Sequence, residues 1–162
     1  MAEPQIPAID VKLDRIDLAI LRELQSDGRL TITELAERVN LSKTPCHARV
    51  RRLMDDQIIT RFQAVVDHVK LGLGHVAFVQ VTLSDTRASA LEDFNRAVTV
   101  LPQVEQSHMI AGAFDYPLKV RSADIADYRR MLGEDIAALP HVANTSTFVS
   151  MEAVKEGAAP AE

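Results

Sequence analysis

The sequence predicts an α+β protein in which a helix-turn-helix unit precedes a β-α-β-β-α-β sandwich. Residues 13–53 have helical periodicity with recognisable caps, and a β-branched run follows at 58–67. Beyond Gly72, segments of strand and helix pattern alternate. The 162 residues, 47% of them hydrophobic, suffice for two small domains.

The first predicted helix is Leu13–Leu24. Asp14 is the expected N-cap, and Asp27–Gly28 is the expected end of the helix. The apolar residues that share its inward face are Leu13, Ile16, Ile20, Leu21 and Leu24.

Two further helices are predicted within Thr31–Met54. Thr31 and Glu34 have the spacing of a capping box, which satisfies two amides at a helix start. The segment Asn40–Leu41–Ser42 predicts a tight turn, because Asn tolerates a left-handed backbone and Ser42 can cap the next helix. The buried stripe predicted for that next helix consists of Cys46, Val50 and Leu53.

The opposite face of this helix is basic, as in a recognition helix that enters a DNA major groove. An exposed basic face can also be only a solvated surface, but the capping box and the short turn favour double-stranded DNA as partner. The predicted DNA-binding residues are Ser42, Lys43, Thr44, His47, Ala48, Arg49, Arg51 and Arg52.

The net charge of −5 does not contradict this prediction, because the charges are unevenly distributed. Residues 1–61 contain ten Lys/Arg and ten Asp/Glu, whereas residues 62–162 contain eight and thirteen. The local electrostatic field around a helix, more than the net charge of the protein, decides whether that helix approaches phosphates.

The second half predicts four strands and two helices. They follow a separate β-patterned segment, Ile58–Asp67, which predicts a strand that serves as wing or linker. The subsequent elements are Val76–Leu83 (strand), Arg87–Val100 (helix), Val104–Ala111 (strand), Tyr116–Arg121 (strand), a helix capped by Asp124 and ended near Leu139–Pro140, and Val142–Val154 (strand). The last helix should bury Ile125, Tyr128, Leu132 and Ile136. This order is that of a ferredoxin-like sandwich, whose sheet carries both helices on one face.

The other face of the sheet should also be covered. Val76–Leu83 has apolar residues at both parities, and Phe148 and Val149 extend this pattern to the last strand. Strands apolar on both faces are typical of sheets buried on both sides. We therefore expect a homodimer formed through the sheets.

The expected organisation is a loose arm (1–12), a helix-turn-helix domain (13–58), a β linker and hinge (59–74), the sandwich (75–156) and a loose tail (157–162). No apolar run is long enough to span a membrane, and the start lacks a signal-peptide pattern. With its single cysteine, the chain is expected in the reducing cytoplasm.

Enzymatic and metal-binding patterns are absent from the sequence. The five histidines are dispersed without ligand spacing, and no glycine-rich phosphate loop or nucleophile elbow occurs. We expect no catalytic residues, metal or cofactor, and a small enzyme on the ferredoxin-like fold is the remote alternative.

Residues 13–53, the segment GAFDYPLKVR at 112–121 and the closing TSTFVSMEAVKE at 145–156 resemble the Lrp/AsnC family of transcription regulators. The resemblance implies an N-terminal winged helix-turn-helix and a C-terminal domain for amino-acid sensing and oligomerisation. It also implies dimers that assemble further, to tetramers or octamers. The segment 108–156 is most similar to the subgroup that responds to proline.

The resemblance also assigns an effector site to the turn before Tyr116. Its implied residues are Gly112, Ala113, Phe114, Asp115 and Tyr116. Asp115 could bind an effector's ammonium and the turn's amides its carboxylate, with proline favoured and leucine second. Ala113 and Pro117 depart from the family pattern, so two alternatives remain: an ordinary hairpin turn, or an architectural protein that wraps DNA without an effector.

Overall fold

The computed structural model describes residues 12–156. The chain divides into two compact units, which within this range comprise residues 12–65 and 66–156. The predicted arm lies almost entirely outside the described residues, and the predicted tail lies wholly outside them.

The first unit begins with α1 (Arg15–Ser26), in agreement with the predicted helix. Asp14 caps it, accepting hydrogen bonds from the amides of Ile16 and Asp17 at 2.9 and 2.8 Å. The Asp17 carboxylate accepts from the Asp14 amide in return, so the two acids form a reciprocal capping box.

Helices α2 (Ile32–Arg38) and α3 (Lys43–Asp55) confirm the predicted helix pair. Thr31 and Glu34 form the predicted capping box, and Asn40 adopts the left-handed conformation with φ 54°. Ser42 is at the N-cap of α3, but its side chain makes no capping hydrogen bond, contrary to the prediction. The buried core of the three helices consists of Ile20, Leu35, Ala36, Val39, Cys46, Val50 and Leu53.

The predicted strand at Ile58–Asp67 is wrong for the single chain, because these residues form no strand. The amides of Ile58 and Ile59 both donate to the Leu53 carbonyl at 2.9 Å, which holds the chain against the end of α3. β-branched composition favours extended backbone, but a strand also requires a partner, and none pairs with this segment within residues 12–156. Turns follow at residues 68–72, where Gly72 has φ 75°.

The second unit is the predicted β-α-β-β-α-β sandwich. Its elements in chain order are β1 (His75–Leu83), α4 (Ala88–Thr99), β2 (Val104–Ser107), β3 (Tyr116–Ser122), α5 (Ile125–Met131) and β4 (Val142–Val149). The strands form one antiparallel sheet in the order β2-β3-β1-β4. Alternate residues of β1 and β3, including Val79 and Leu118, are buried with Phe94 of α4 and Tyr128 of α5 in one core.

Three element ends differ from the predictions. β2 stops at Ser107, although the His108 amide still donates to the Pro117 carbonyl at 3.3 Å. β4 ends at Val149 because the chain beyond it turns back, so that Glu156 reaches Lys119 and Arg121 of β3.

The last helix is also shorter than predicted. α5 passes into a π-helical turn at Leu132–Ile136, whose extra residue shifts the buried stripe. Tyr128, Met131 and Ile136 are buried, whereas Ile125 is exposed, contrary to the prediction, because the first turn of α5 extends beyond the core.

Candidate functional site

α3 presents a polar face to solvent and buries an apolar face. The side chains buried in the core of the first unit are Cys46, Val50 and Leu53, as the sequence predicts. Most of the predicted DNA-binding residues are exposed on the remaining surface: Ser42, Lys43, Thr44, His47, Ala48, Arg51 and Arg52. A helix with one anchored face and one exposed basic face can approach phosphates and base edges.

Arg51 is the most outward-facing guanidinium of α3, with its side chain 75% exposed. Its Nε lies 3.8 Å from the Asp55 carboxylate, one turn along the helix. Such exposed pairs hold their partners weakly, so Arg51 remains available to another anion.

Arg49 and Arg52 have a different environment, because both pair with an acid of α1. Arg49 Nη1 lies 2.8 Å from Asp17 Oδ1, and Arg52 Nη2 lies 2.5 Å from Asp17 Oδ2. Arg49 also contacts the Asp14 carboxylate at 2.6 Å. Two of the four Lys and Arg side chains on α3 therefore pair with acids at or in the first turn of α1.

The pKa values of these groups follow from the pairing. Burial raises the pKa of Asp17, but the Asp14 amide and both guanidiniums outweigh it, and the pKa lies below the ordinary value. Hydrogen bonds to Asp14 and Asp17 raise the pKa of Arg49. Asp17 and Arg49 are therefore both charged near neutral pH.

Sequence reasoning missed the role of Asp17. The signal available was its place on the inward face of α1, one turn before Ile20. An acid on an apolar stripe needs a cationic partner, and the arginines of α3 were candidates.

The predicted effector turn joins the end of β2 to β3. The Ile110 amide donates to the Asp115 carbonyl at 2.9 Å, and the Asp115 amide donates to the Val81 carbonyl at 2.9 Å. Asp115 Oδ2 accepts from the Leu83 amide at 2.7 Å. Asp115 therefore ties the turn to β1, while Oδ1 accepts no hydrogen bond from residues 12–156.

The other predicted effector residues are divided between solvent and core. Gly112 and Ala113 are exposed, and Phe114 is half-buried. Tyr116 is buried, with its ring centroid 4.4 Å from that of Phe94. Burial also raises the pKa of the Tyr116 phenol. Tyr116 can offer a ligand on the exposed side only its backbone.

Cys46 is a core residue in this structure. It is buried among the apolar side chains of the first unit, and burial raises the pKa of its thiol. A thiol held protonated in an apolar site is a poor nucleophile. Within residues 12–156, no group of three or more His, Cys, Asp or Glu side chains converges to hold a metal.

No helix in the described part of the chain is long and apolar enough to cross a membrane.

Comparison with known families matches both units. Residues 13–60 match the winged helix-turn-helix DNA-binding family, and residues 76–160 match the Lrp/AsnC ligand binding domain. The chain is 58% identical over 144 residues to the proline dehydrogenase transcriptional activator of Rhizobium radiobacter, covering 89% of this chain and 92% of that protein.

Two further proteins are similar to this chain over most of their length. The leucine-responsive regulatory protein of Escherichia coli K12 is 44% identical, with 89% of this chain and 88% of that protein covered. A transcriptional regulator from Neisseria meningitidis, solved in complex with L-methionine, has a TM-score of 0.83 and 30% identity, covering 90% of this chain and 94% of that one. The chain is therefore a DNA-binding transcription regulator rather than an enzyme, and it belongs to the Lrp/AsnC family.

Proposed function

We propose that α3 is the recognition helix and that Thr44, His47 and Ala48 lie nearest the bases, with Arg51 and Arg52 on phosphates or guanine edges. The observation that carries this proposal is the exposed basic face of α3 above a buried stripe. Ser42, Lys43 and Arg49 complete the proposed contact set at the start and flank of the helix.

Replacing Arg51 with Ala tests this placement. We expect a loss of about 1–3 kcal/mol in binding if Arg51 contacts a base, and a salt slope lower by about one if it contacts a phosphate. Fluorescence anisotropy of a labelled duplex over a KCl series measures both quantities. Arg129→Ala, an equally large charge change on the exposed side of α5, is the matched control. Unchanged affinity and slope in an Arg51→Ala, Arg52→Ala double variant would contradict the placement.

We further propose that the turn before Tyr116 binds a small amino acid, proline first and leucine second, and that the chain controls genes of amino-acid metabolism. The similarity to proline dehydrogenase activators supports proline and an activator role. Asp115 Oδ1 is the proposed acceptor for the ligand's ammonium. The exposed backbone of Gly112 and Ala113 is the proposed donor for its carboxylate, and Phe114 is the apolar contact.

Calorimetry of the full chain against a panel of amino acids tests this site. We expect heat with proline or leucine, and Asp115→Asn should weaken binding severalfold, because the ammonium loses its charged partner. Glu134→Gln, an exposed acid-to-amide change in the same unit, should leave the heat unchanged. Because coupling between sites is reciprocal, a true effector must also shift DNA affinity or assembly. If no amino acid at millimolar concentration has any of these effects, the architectural alternative replaces the sensing one.

We also propose that the chain acts in the cytoplasm as a homodimer that assembles to a tetramer or octamer. The helices cover one sheet face, and Phe78 of β1 and Phe148 of β4 lie paired in register on the other. Both rings are substantially exposed, 46% and 55%. A second copy would bury this pair and the adjoining edge of β4.

A further inference from the structure

Asp17 is a fully buried acid beside a core of apolar side chains. It is 0% exposed and lies in α1 one turn before Ile20, which is itself fully buried. Burying a carboxylate is unfavourable unless its charge is paired and its oxygens accept hydrogen bonds. The partners of Asp17 therefore indicate what this side chain does.

Both oxygens of Asp17 are occupied, and both take a guanidinium from α3. Oδ1 accepts from Arg49 at 2.8 Å, and Oδ2 accepts from Arg52 at 2.5 Å and from the Asp14 amide at 3.1 Å. Arg49 and Arg52 are three residues apart, so they lie side by side on α3. One buried acid thus fixes two neighbouring points of that helix relative to α1.

Arg52 is held through a single donor nitrogen, Nη2. Among the described residues it has a single hydrogen-bond acceptor, Asp17, and its side chain remains 46% exposed. The guanidinium is planar and carries five donors, so a hydrogen bond from one nitrogen to a buried carboxylate restricts where the other donors lie. Those donors lie beside the exposed face of α3 that includes Arg51 and Ala48.

We propose that Asp17 is a positioning residue for DNA recognition: it holds Arg52 so that its outer donors meet a phosphate oxygen in the specific complex, and with Arg49 it sets the rotation of α3. The proposal rests on the proposed role of α3. An arginine held in one orientation favours the one position of the protein along the DNA in which a phosphate meets its donors. Non-specific binding needs only positive charge.

The experiment compares two duplexes with the full-length chain. One is a 30-bp duplex enriched from a randomised library by the wild-type chain, and the other is the same duplex with its sequence shuffled. Anisotropy over a KCl series gives both affinities, and their ratio is the readout. We expect Asp17→Asn to lower the ratio about tenfold, because the specific complex loses an oriented contact while the added positive charge maintains non-specific binding.

Glu23→Gln is the matched control. Glu23 is also on α1 and also pairs with an arginine, Arg38 of α2, at 2.9 Å, so the substitution makes the same charge change without touching α3. We expect its ratio to stay within about twofold of wild type. The Arg52→Ala variant supplies a second test, because in its background Asp17→Asn should lower the ratio much less, by only the part that acts through Arg49.

Several results would overturn the proposal. Equal losses of affinity for both duplexes in Asp17→Asn would assign Asp17 to folding alone. An equal fall of the affinity ratio in Glu23→Gln would assign the effect to charge. If Asp17→Asn lowered the ratio as much in the Arg52→Ala background as in the wild type, Asp17 would not act through Arg52. If the Asp17→Asn variant does not fold, the affinity ratio of the Arg52→Lys variant tests the proposal. This variant keeps the charge but lacks the fork, so an unchanged ratio would contradict the proposal. A wild-type chain without preference for the enriched duplex would overturn sequence-specific recognition itself, a result seen before any variant is made.

Discussion

Asp85 and Arg87 form an ion pair with each other just before α4. The Asp85 carboxylate accepts from the Arg87 amide at 2.9 Å and from Arg87 Nε at 2.8 Å. The guanidinium, followed by the amide, lowers the pKa of Asp85 to about 2. Its ordinary value is about 3.9, so the pair contributes stability above pH 4 and loses that contribution as the pH falls toward 2.

We therefore expect the Asp85 carboxyl to titrate near pH 2 in a ¹³C NMR titration of the full chain. Arg87→Gln should raise that pKa, because the charged partner is removed while the amide hydrogen bond remains. Arg96→Gln removes a comparable exposed arginine, which pairs with Asp93, and should leave the Asp85 titration unchanged. An Asp85 pKa that stays low in Arg87→Gln would show that the guanidinium is not the cause.

At the same scale, the sequence predicted which residues face outward on α3 but not what two of them contact. A helical period fixes the face of Arg49 and Arg52, whereas their pairing with Asp17 depends on how α1 packs against α3. Tyr116 illustrates the same limit. The resemblance placed it at an effector site, but strand alternation in β3 directs its ring into the core beside Phe94.

Among the helices of the first unit, α2 depends most on its capping interactions because it has only seven residues. Thr31 Oγ1 accepts from the Glu34 amide at 3.2 Å, and Glu34 Oε2 accepts from the Thr31 amide at 2.8 Å. Replacing Thr31 with Ala should destabilise the helix by about 1 kcal/mol, which corresponds to about fivefold faster amide exchange in α2. Hydrogen-exchange NMR measures this change.

Thr60→Ala is the control for that experiment. Thr60 is exposed in the same unit but lies outside every helix, so its loss should leave exchange in α2 unchanged. Equal exchange rates in wild type and Thr31→Ala would mean that packing against the core, and not the capping box, sets the stability of α2.

The helices with local capping signals were predicted well, and the two errors concern features that local signals do not determine. Two helices of the first unit, α1 and α2, have the caps that the sequence indicates, and all three helices form within two residues of the predicted bounds. The strand predicted at Ile58–Asp67 has β-branched residues but no pairing partner within the described part of the chain. The π-helical turn at Leu132–Ile136 adds a residue to the helical repeat, which the α-helical period of the sequence does not indicate.

For the whole molecule, composition and element order predicted the β-α-β-β-α-β fold, and the four strands form one sheet in the order β2-β3-β1-β4. The free face of the sheet is less uniform than the apolar alternation suggested. Near β2 and β3 it carries an ionic cluster in which Lys119 and Arg121 pair with Glu105 and Glu156. Only the β1 and β4 half presents exposed aromatic rings, so that half is the expected contact with a second copy.

Replacing Phe78 and Phe148 together with Ser tests this assembly. Phe78 and Phe148 are cross-strand neighbours, and large exposed aromatic pairs contribute most where an interface buries them. We expect the wild-type chain to sediment as a dimer or a larger assembly and the double variant to sediment as a monomer at micromolar concentration, with an unchanged circular dichroism spectrum. Val100→Ser, at the end of α4, removes an even more exposed apolar side chain away from this face and should leave the assembly intact. A double variant that keeps the wild-type sedimentation coefficient would contradict an interface through the sheets.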